Sequence, residues 1–123
     1  MNWSLSTDRP IYAQLIEQIT SAIVAGEYRP GEKLPSVRDL AEAAAVNPNT
    51  MQKALAELER TGLVYTQRTA GRYITEDEAM LKKVKQQIAL EQIQQFLSQM
   101  ERLGLTRQGI AALVSQAASQ TVS

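Results

Sequence analysis

Ser36-Val37-Arg38-Asp39-Leu40-Ala41-Glu42-Ala43-Ala44-Ala45-Val46-Asn47-Pro48-Asn49-Thr50-Met51-Gln52-Lys53-Ala54-Leu55-Ala56-Glu57-Leu58 carries two helix starts eleven residues apart. Ser36 reads as an N-cap with an acid three residues on; Asp39 is shorter than Glu or Gln, so reciprocal capping is weaker. Val37, Leu40, Ala41 and Ala44 supply the apolar stripe of a short helix over roughly 37–44. Asn47-Pro48 is an N-cap followed by proline at the first helical position, where a missing N–H costs nothing. Met51, Ala54, Leu55 and Leu58 then recur at i, i+3, i+4, i+7, and Gly62 is placed to close that helix. Two short helices joined by a few residues make a helix-turn-helix candidate.

Downstream the pattern turns β-prone. Leu63-Val64-Tyr65-Thr66-Gln67 and Arg72-Tyr73-Ile74-Thr75 flank Arg68-Thr69-Ala70-Gly71, a short hairpin with glycine near the turn. A hairpin there makes the unit a winged helix-turn-helix. Upstream, a helix starts at Pro10, with Tyr12, Leu15, Ile16, Ile19 and Ile23 on one stripe and Gly26 at its end. Tyr28-Arg29-Pro30-Gly31-Glu32-Lys33-Leu34-Pro35 reads as an ordered loop between that helix and Ser36. Trp3 and Leu5 are expected to pack on the core.

From Glu76 the helical period resumes, with Glu76, Asp77 and Glu78 suited to a helix N-terminus. Leu81, Val84, Ile88, Ile93, Phe96, Leu97, Met100 and Leu103 extend it to Gly104, and a last helix follows Thr106 with Ile110, Leu113, Val114 and Ala117 on one side. Such a tail buries little by itself, and a second copy is the simplest source of a partner. The fold class expected is therefore mainly α with a small β-hairpin: a winged helix-turn-helix over 1–75, then a helical dimerisation hairpin over 76–123.

Composition narrows the chemistry. The 123 residues include neither Cys nor His, which removes disulfides, thiolate or imidazole metal sites and histidine bases. No apolar run approaches the roughly 18 residues that span a bilayer, so no membrane partner and a cytoplasmic location are expected. Lys plus Arg and Asp plus Glu number 13 each, and residues 1–75 hold eight of each, so no strongly basic footprint marks a polyanionic partner.

DNA chemistry is nevertheless available on the second helix of the pair. With the core stripe facing inward, Asn49, Gln52 and Lys53 point outward near its start, beside Asn47 and Thr50. Asn and Gln can bond adenine N6/N7 bidentately, and Lys reaches guanine or phosphate. The same residues also read as a good helix start with a solvated face; the preceding helix and following hairpin turn the reading toward a recognition helix. Arg38, two residues past its cap, can reach phosphate or a guanine edge, or pair with Glu42 at i+4. Arg68 and Arg72 flank the hairpin tip, suited to phosphates or a narrow minor groove, or to keeping an edge strand from aggregating.

Gly31-Glu32-Lys33-Leu34-Pro35-Ser36-Val37-Arg38-Asp39-Leu40-Ala41, continued by Val46-Asn47-Pro48-Asn49-Thr50-Met51-Gln52-Lys53-Ala54-Leu55, Leu58-Glu59 and Gly62-Leu63-Val64, resembles the GntR family of bacterial transcription regulators. Arg9-Pro10-Ile11-Tyr12 and the Asn-Pro-Asn-Thr start are similar to its YtrA-like subgroup. The resemblance implies a dimeric winged-helix repressor of a palindromic operator, commonly governing a transporter operon and its own gene. It implies that Arg38 touches DNA from the helix before the recognition helix, that Thr50 contacts the backbone, and that Gly71 lets the wing approach the minor groove. The chain departs from the family pattern at Pro48 and Gln52, where many members have Arg. Its wing reads Thr69-Ala70-Gly71-Arg72 rather than Gly-x-Gly-Thr, and Arg72 is expected to add a phosphate contact.

The 48 residues after position 75 are too few for the large effector domain many members carry. No cofactor is expected; an unidentified small-molecule effector is compatible with the tail, though no pattern marks one. An enzyme is disfavoured. Gly26-Glu27-Tyr28-Arg29-Pro30-Gly31-Glu32-Lys33 has a phosphate-loop outline, but Lys33 is one place late and Leu34 replaces the Ser/Thr that holds magnesium. The remaining alternative is a winged helix used to bind another protein, which the neutral net charge favours.

Overall fold

The computed structural model describes residues 1–68 and 70–120. Its elements run α1 (Ile11–Val24), α2 (Val37–Ala44), α3 (Pro48–Arg60), β1 (Val64–Gln67), β2 (Gly71–Ile74), α4 (Glu78–Arg102) and α5 (Arg107–Gln120). They form two compact units, Met1–Lys85 and the residues from Gln86 onward. The architecture is mainly helical with one antiparallel hairpin, as the periodicity requires.

In the first unit α3 is the central element, packed against α1, α2 and β1. Leu15, Ile19 and Ile23 of α1, Leu40 and Ala41 of α2, and Met51, Ala54, Leu55 and Leu58 of α3 meet in one core with Leu34, Val64, Ile74 and Leu81. These are the stripes the sequence spacing marks. Two details differ. Pro10 is the residue before the first helical turn, so α1 begins at Ile11. Tyr12, expected on the apolar stripe, remains 38% exposed. Its ring lies in a cleft beside α3 rather than in the core.

The helix ends use the local chemistry read from the sequence. The Ser36 hydroxyl accepts the Asp39 N–H at 3.1 Å, and Asn47 Oδ1 accepts the Asn49 N–H at 2.8 Å. Leu63 N–H donates to the Leu58 carbonyl and Gly62 N–H to that of Glu59, the paired bonds that close a helix through glycine. α2 closes in the same way, but its left-handed residue is Ala45, at φ 57° and ψ 47°. α4 starts at Glu78 rather than Glu76, because Asp77 Oδ1 accepts the Met80 N–H at 3.0 Å and acts as the cap.

Two features lie beyond any periodicity. Residues 31–34, read as a loop, pair with β2: Gly31 N–H donates to the Ile74 carbonyl, Ile74 N–H to Glu32 and Leu34 N–H to Arg72, with Lys33 opposite Tyr73. The wing thus has a third strand-like edge. The N-terminal segment is clasped to α1 by Gln14, a buried side chain bonding Ser6 N–H, Ser6 O and Arg9 O, and by Gln18, which bonds Ser4 N–H and O. Trp3 and Leu5 pack partly buried on the core, as expected.

In α4 only Leu81 is buried, and in α5 only Ile110. Leu90, Ile93, Phe96, Leu103, Leu113 and Val114 remain exposed. Among the described residues no helix is long and apolar enough to cross a membrane.

Candidate nucleic-acid interface

The buried flank of α3 consists of Met51, Ala54, Leu55 and Leu58. At about 100° per residue this sends Asn49, Lys53 and Arg60 to the opposite side, with Gln52 and Glu59 on the flank nearer the wing. Asn49, Gln52 and Lys53 are all exposed. The side chains of these three make no hydrogen bond or ion pair among the described residues. Thr50 is half-buried on the other flank and lines a cleft of about 610 Å³ with Tyr12, Lys53, Ala56, Glu57 and Arg60. The Glu57 carboxylate holds Arg60 through two bonds of 2.8 and 2.6 Å, so Lys53 is the cation of that cleft without an internal counter-charge.

The alternative pairing of Arg38 with Glu42 is absent among the described residues; Arg38 is exposed and carries no ion pair. It occupies the second position of α2. Between the start of α2 and the wing lies an open cleft of about 750 Å³, lined by Lys33, Ser36, Ala70, Gly71 and Arg72 among others. Lys33 enters the sequence reading only within the family-like stretch and the phosphate-loop outline, and not as a residue of this surface. Nothing in a Pro/Gly loop signals that its side chain will lie along the wing, because that placement follows from the pairing of residues 31–34 with β2.

The hairpin register is Val64↔Ile74, Tyr65↔Tyr73, Thr66↔Arg72 and Gln67↔Gly71. Val64 and Ile74 face the core, while Tyr65 and Tyr73 stack across the strands with ring centroids 5.8 Å apart. Arg68, at the tip, is exposed and without an ion pair. Gly71 has φ +106°, and a Cβ there would lie 3.2 Å from Lys33 Cε. The wing departure at Thr69 falls outside the described residues.

Two of the expected contact residues have internal partners. Asn47 uses its side-chain oxygen on the Asn49 N–H. Arg72 Nε donates to Glu59 Oε1 at 2.5 Å, and the Thr66 hydroxyl donates to the same oxygen at 2.5 Å. These bonds, Thr66 first and then Arg72, hold the Glu59 carboxyl below the usual carboxylate range against the opposing effect of partial burial. Glu57 and Glu59 accordingly serve different partners on different sides of α3 and form no paired-acid site.

A short helix capped by Ser36, a left-handed turn at Ala45, a second helix with an exposed polar start and a hairpin behind it define a winged helix-turn-helix of the DNA-binding class. Residues 11–74 match the model of the bacterial regulatory proteins of the gntR family, and the chain belongs to that family. It is 40% identical to the uncharacterized HTH-type transcriptional regulator YhcF of Bacillus subtilis, over 88% of this chain and 89% of that protein. It is 44% identical to the transcriptional repressor YtrA of the same organism, over 72% and 68%. A GntR family transcriptional regulator from Listeria monocytogenes superposes with a TM-score of 0.84 at 41% identity, covering 91% of this chain and 98% of that one. The DNA-binding domain of AraR in complex with operator ORE1 superposes at 0.53 and 30% identity, covering 61% and 94%. The protein is a transcription regulator with a DNA-binding helix-turn-helix, and its relatives are regulators rather than enzymes.

Proposed function

We propose that the chain is a homodimeric repressor that works in the cytoplasm on a palindromic operator, one copy per half-site. The observation that carries this reading is the outward polar start of α3, where the side chains of Asn49, Gln52 and Lys53 are exposed and free of internal partners above a fully apolar buried face. Gln52 and Asn49 read base edges in the major groove, and Lys53 reaches a guanine edge or phosphate. Thr50 and Arg38 hold the backbone; Arg68 and Gly71 bring the wing to the minor groove. Asn47 and Arg72 act at this surface through the groups they hold. Residues 1–75 form the DNA-binding domain and residues 76–123 the dimerisation tail, whose exposed Leu90, Ile93 and Phe96 offer the apolar surface for a second copy. Half-sites then lie about 34–36 Å apart or a multiple of that. Repression is favoured by the name of the relative YtrA, and control of a transporter operon with the regulator's own gene follows the family resemblance.

Titration of the full chain against DNA from upstream of its own gene, at several salt concentrations, tests the reading. Tight binding to one palindromic fragment over random DNA, with a steep salt slope, is expected. A second reading, a winged helix that binds another protein, is favoured by the formal net charge of +0. Weak binding, equal on every fragment, would support it.

A further inference from the structure

Thr66 and Arg72 sit directly opposite each other in the hairpin, one rung below the Gln67↔Gly71 pair that closes onto the tip. Both donate to the same oxygen of Glu59, a residue of α3. A single carboxylate on the recognition helix therefore grips both strands of the wing at one level. Further down, Val64 and Ile74 fix the hairpin base in the core; further up, Arg68 is exposed without a partner. Among the described residues, no other side-chain ion pair joins α3 to the hairpin. The rung held by Glu59 is thus where an α3 side chain grips the wing, while the Leu34 N–H holds the other edge of β2 through the Arg72 carbonyl.

Gln52 lies two helical turns before Glu59 on the same flank of α3, so the anchored rung is about 10 Å along the helix from a proposed base-reading residue. An acid this near a phosphate surface weakens binding unless its charge is matched, and Arg72 matches it. We infer that Glu59 is a positioning residue for DNA recognition, acting through Thr66 and Arg72, and that the Arg72 guanidinium serves this carboxylate rather than a DNA phosphate. The inference rests on the operator reading above for its effect on affinity. The geometric part, a wing held to α3 by Glu59, stands without DNA.

The experiment uses the full chain and two readouts. In the free protein, backbone amide spectra of Glu59→Ala should show shifts at Arg68, Ala70 and Gly71 while the α1 and α2 amides hold. Unmoved wing amides would overturn the inference, whatever the wild-type chain does with DNA. On operator DNA, Glu59→Ala should bind about ten-fold more weakly, the scale of one charge-assisted bond, with an unchanged salt slope. Unchanged or tighter binding would overturn the inference, since loss of an idle negative charge can only help. Adding Arg72→Ala to Glu59→Ala should cost nothing further, because both remove one link. A further loss, with a salt slope lower by about 0.9 per subunit, would make Arg72 a phosphate contact and overturn its assignment. Glu59→Gln, which keeps an acceptor for Thr66, should recover part of the affinity. Thr66→Val gives a milder loss in the same direction, and serves if Glu59→Ala does not fold. Absence of specific binding by the wild-type chain, with shifted wing amides in Glu59→Ala, would count against the operator reading alone.

Discussion

Asn47 Oδ1 accepts the backbone N–H of Asn49 at 2.8 Å, so the residue that opens the recognition helix is occupied by the helix itself. On the operator reading proposed above, its part is to hold the first turn of α3, and with it the Asn49 and Thr50 backbone, in place. Asn47→Ala should lower stability by about 1 kcal/mol, the typical value of an N-cap. Thermal unfolding should fall by roughly 4 °C. Asn47→Ser, which keeps an acceptor, should stay close to wild type. Equal losses from both variants would show that the cap is not the source.

The turn between α2 and α3 rests on Ala45 in the left-handed region, at φ 57°. An L-residue with a Cβ pays roughly 1–2 kcal/mol there, of which glycine's greater unfolded freedom returns part. Ala45→Gly should therefore stabilise the chain by up to about 1 kcal/mol, read as a higher urea midpoint at unchanged slope. A lower midpoint would mean the Ala45 methyl makes packing contacts that outweigh the strain.

Gly71 shows the opposite case. Its φ of +106° and the 3.2 Å approach of Lys33 Cε leave no comfortable place for a side chain. Gly71→Ala should cost more than about 1 kcal/mol, since the strain exceeds the gain from a stiffer unfolded chain. Urea unfolding checks it, and wild-type stability would show that the hairpin relaxes freely at that position.

The lowered pKa of Glu59 has a definite sign in stability. A carboxyl whose folded pKa lies below its unfolded value stabilises the fold above the unfolded value, about 4.3, and loses that contribution as pH falls through the folded one. The stability gap between wild type and Glu59→Gln should thus be widest near neutrality and shrink toward about pH 3. Urea unfolding at both pH values reads it; a gap independent of pH would show that the charge of Glu59 does not matter to folding.

On the DNA side, Lys53→Gln should lower the salt slope by about 0.9 per subunit with little change in sequence preference. Gln52→Ala should instead relax preference at one base pair by about 1–3 kcal/mol with the slope preserved. Competition binding against single-position operator variants separates the two, and the reverse pattern would exchange their roles.

For the tail, Phe96→Glu places a charge among exposed Leu90 and Ile93, which are 51% and 52% accessible in the single chain. The expected outcome is a monomer by sedimentation with helix content retained. A persistent dimer would move the subunit contact away from this face of α4.

The local code of this chain is unusually complete. Ser36 and Asn47 cap where their spacing says they should, and Met51, Ala54, Leu55 and Leu58 bury as one stripe. Gly62 closes α3, and the β-prone residues form a hairpin in register from Val64↔Ile74 to Gln67↔Gly71. These are properties of neighbouring residues, set by periodicity and by which side chain can reach which backbone group, so the amino-acid order alone determined them. The outward placement of Asn49, Gln52 and Lys53 follows from the same arithmetic.

What the order could not specify depends on groups far apart along the chain. Residues 31–34 become a strand edge only because β2 arrives beside them with unpaired main-chain groups. Arg72 looked like a free cation at a hairpin tip; thirteen residues away, Glu59 supplies its counter-charge once the wing folds back on α3. Tyr12 fits an apolar stripe by spacing, yet its position in the first turn leaves it in a cleft rather than under α3. Periodicity determines which face of an element is buried, whereas the charge a side chain meets depends on how the elements are brought together.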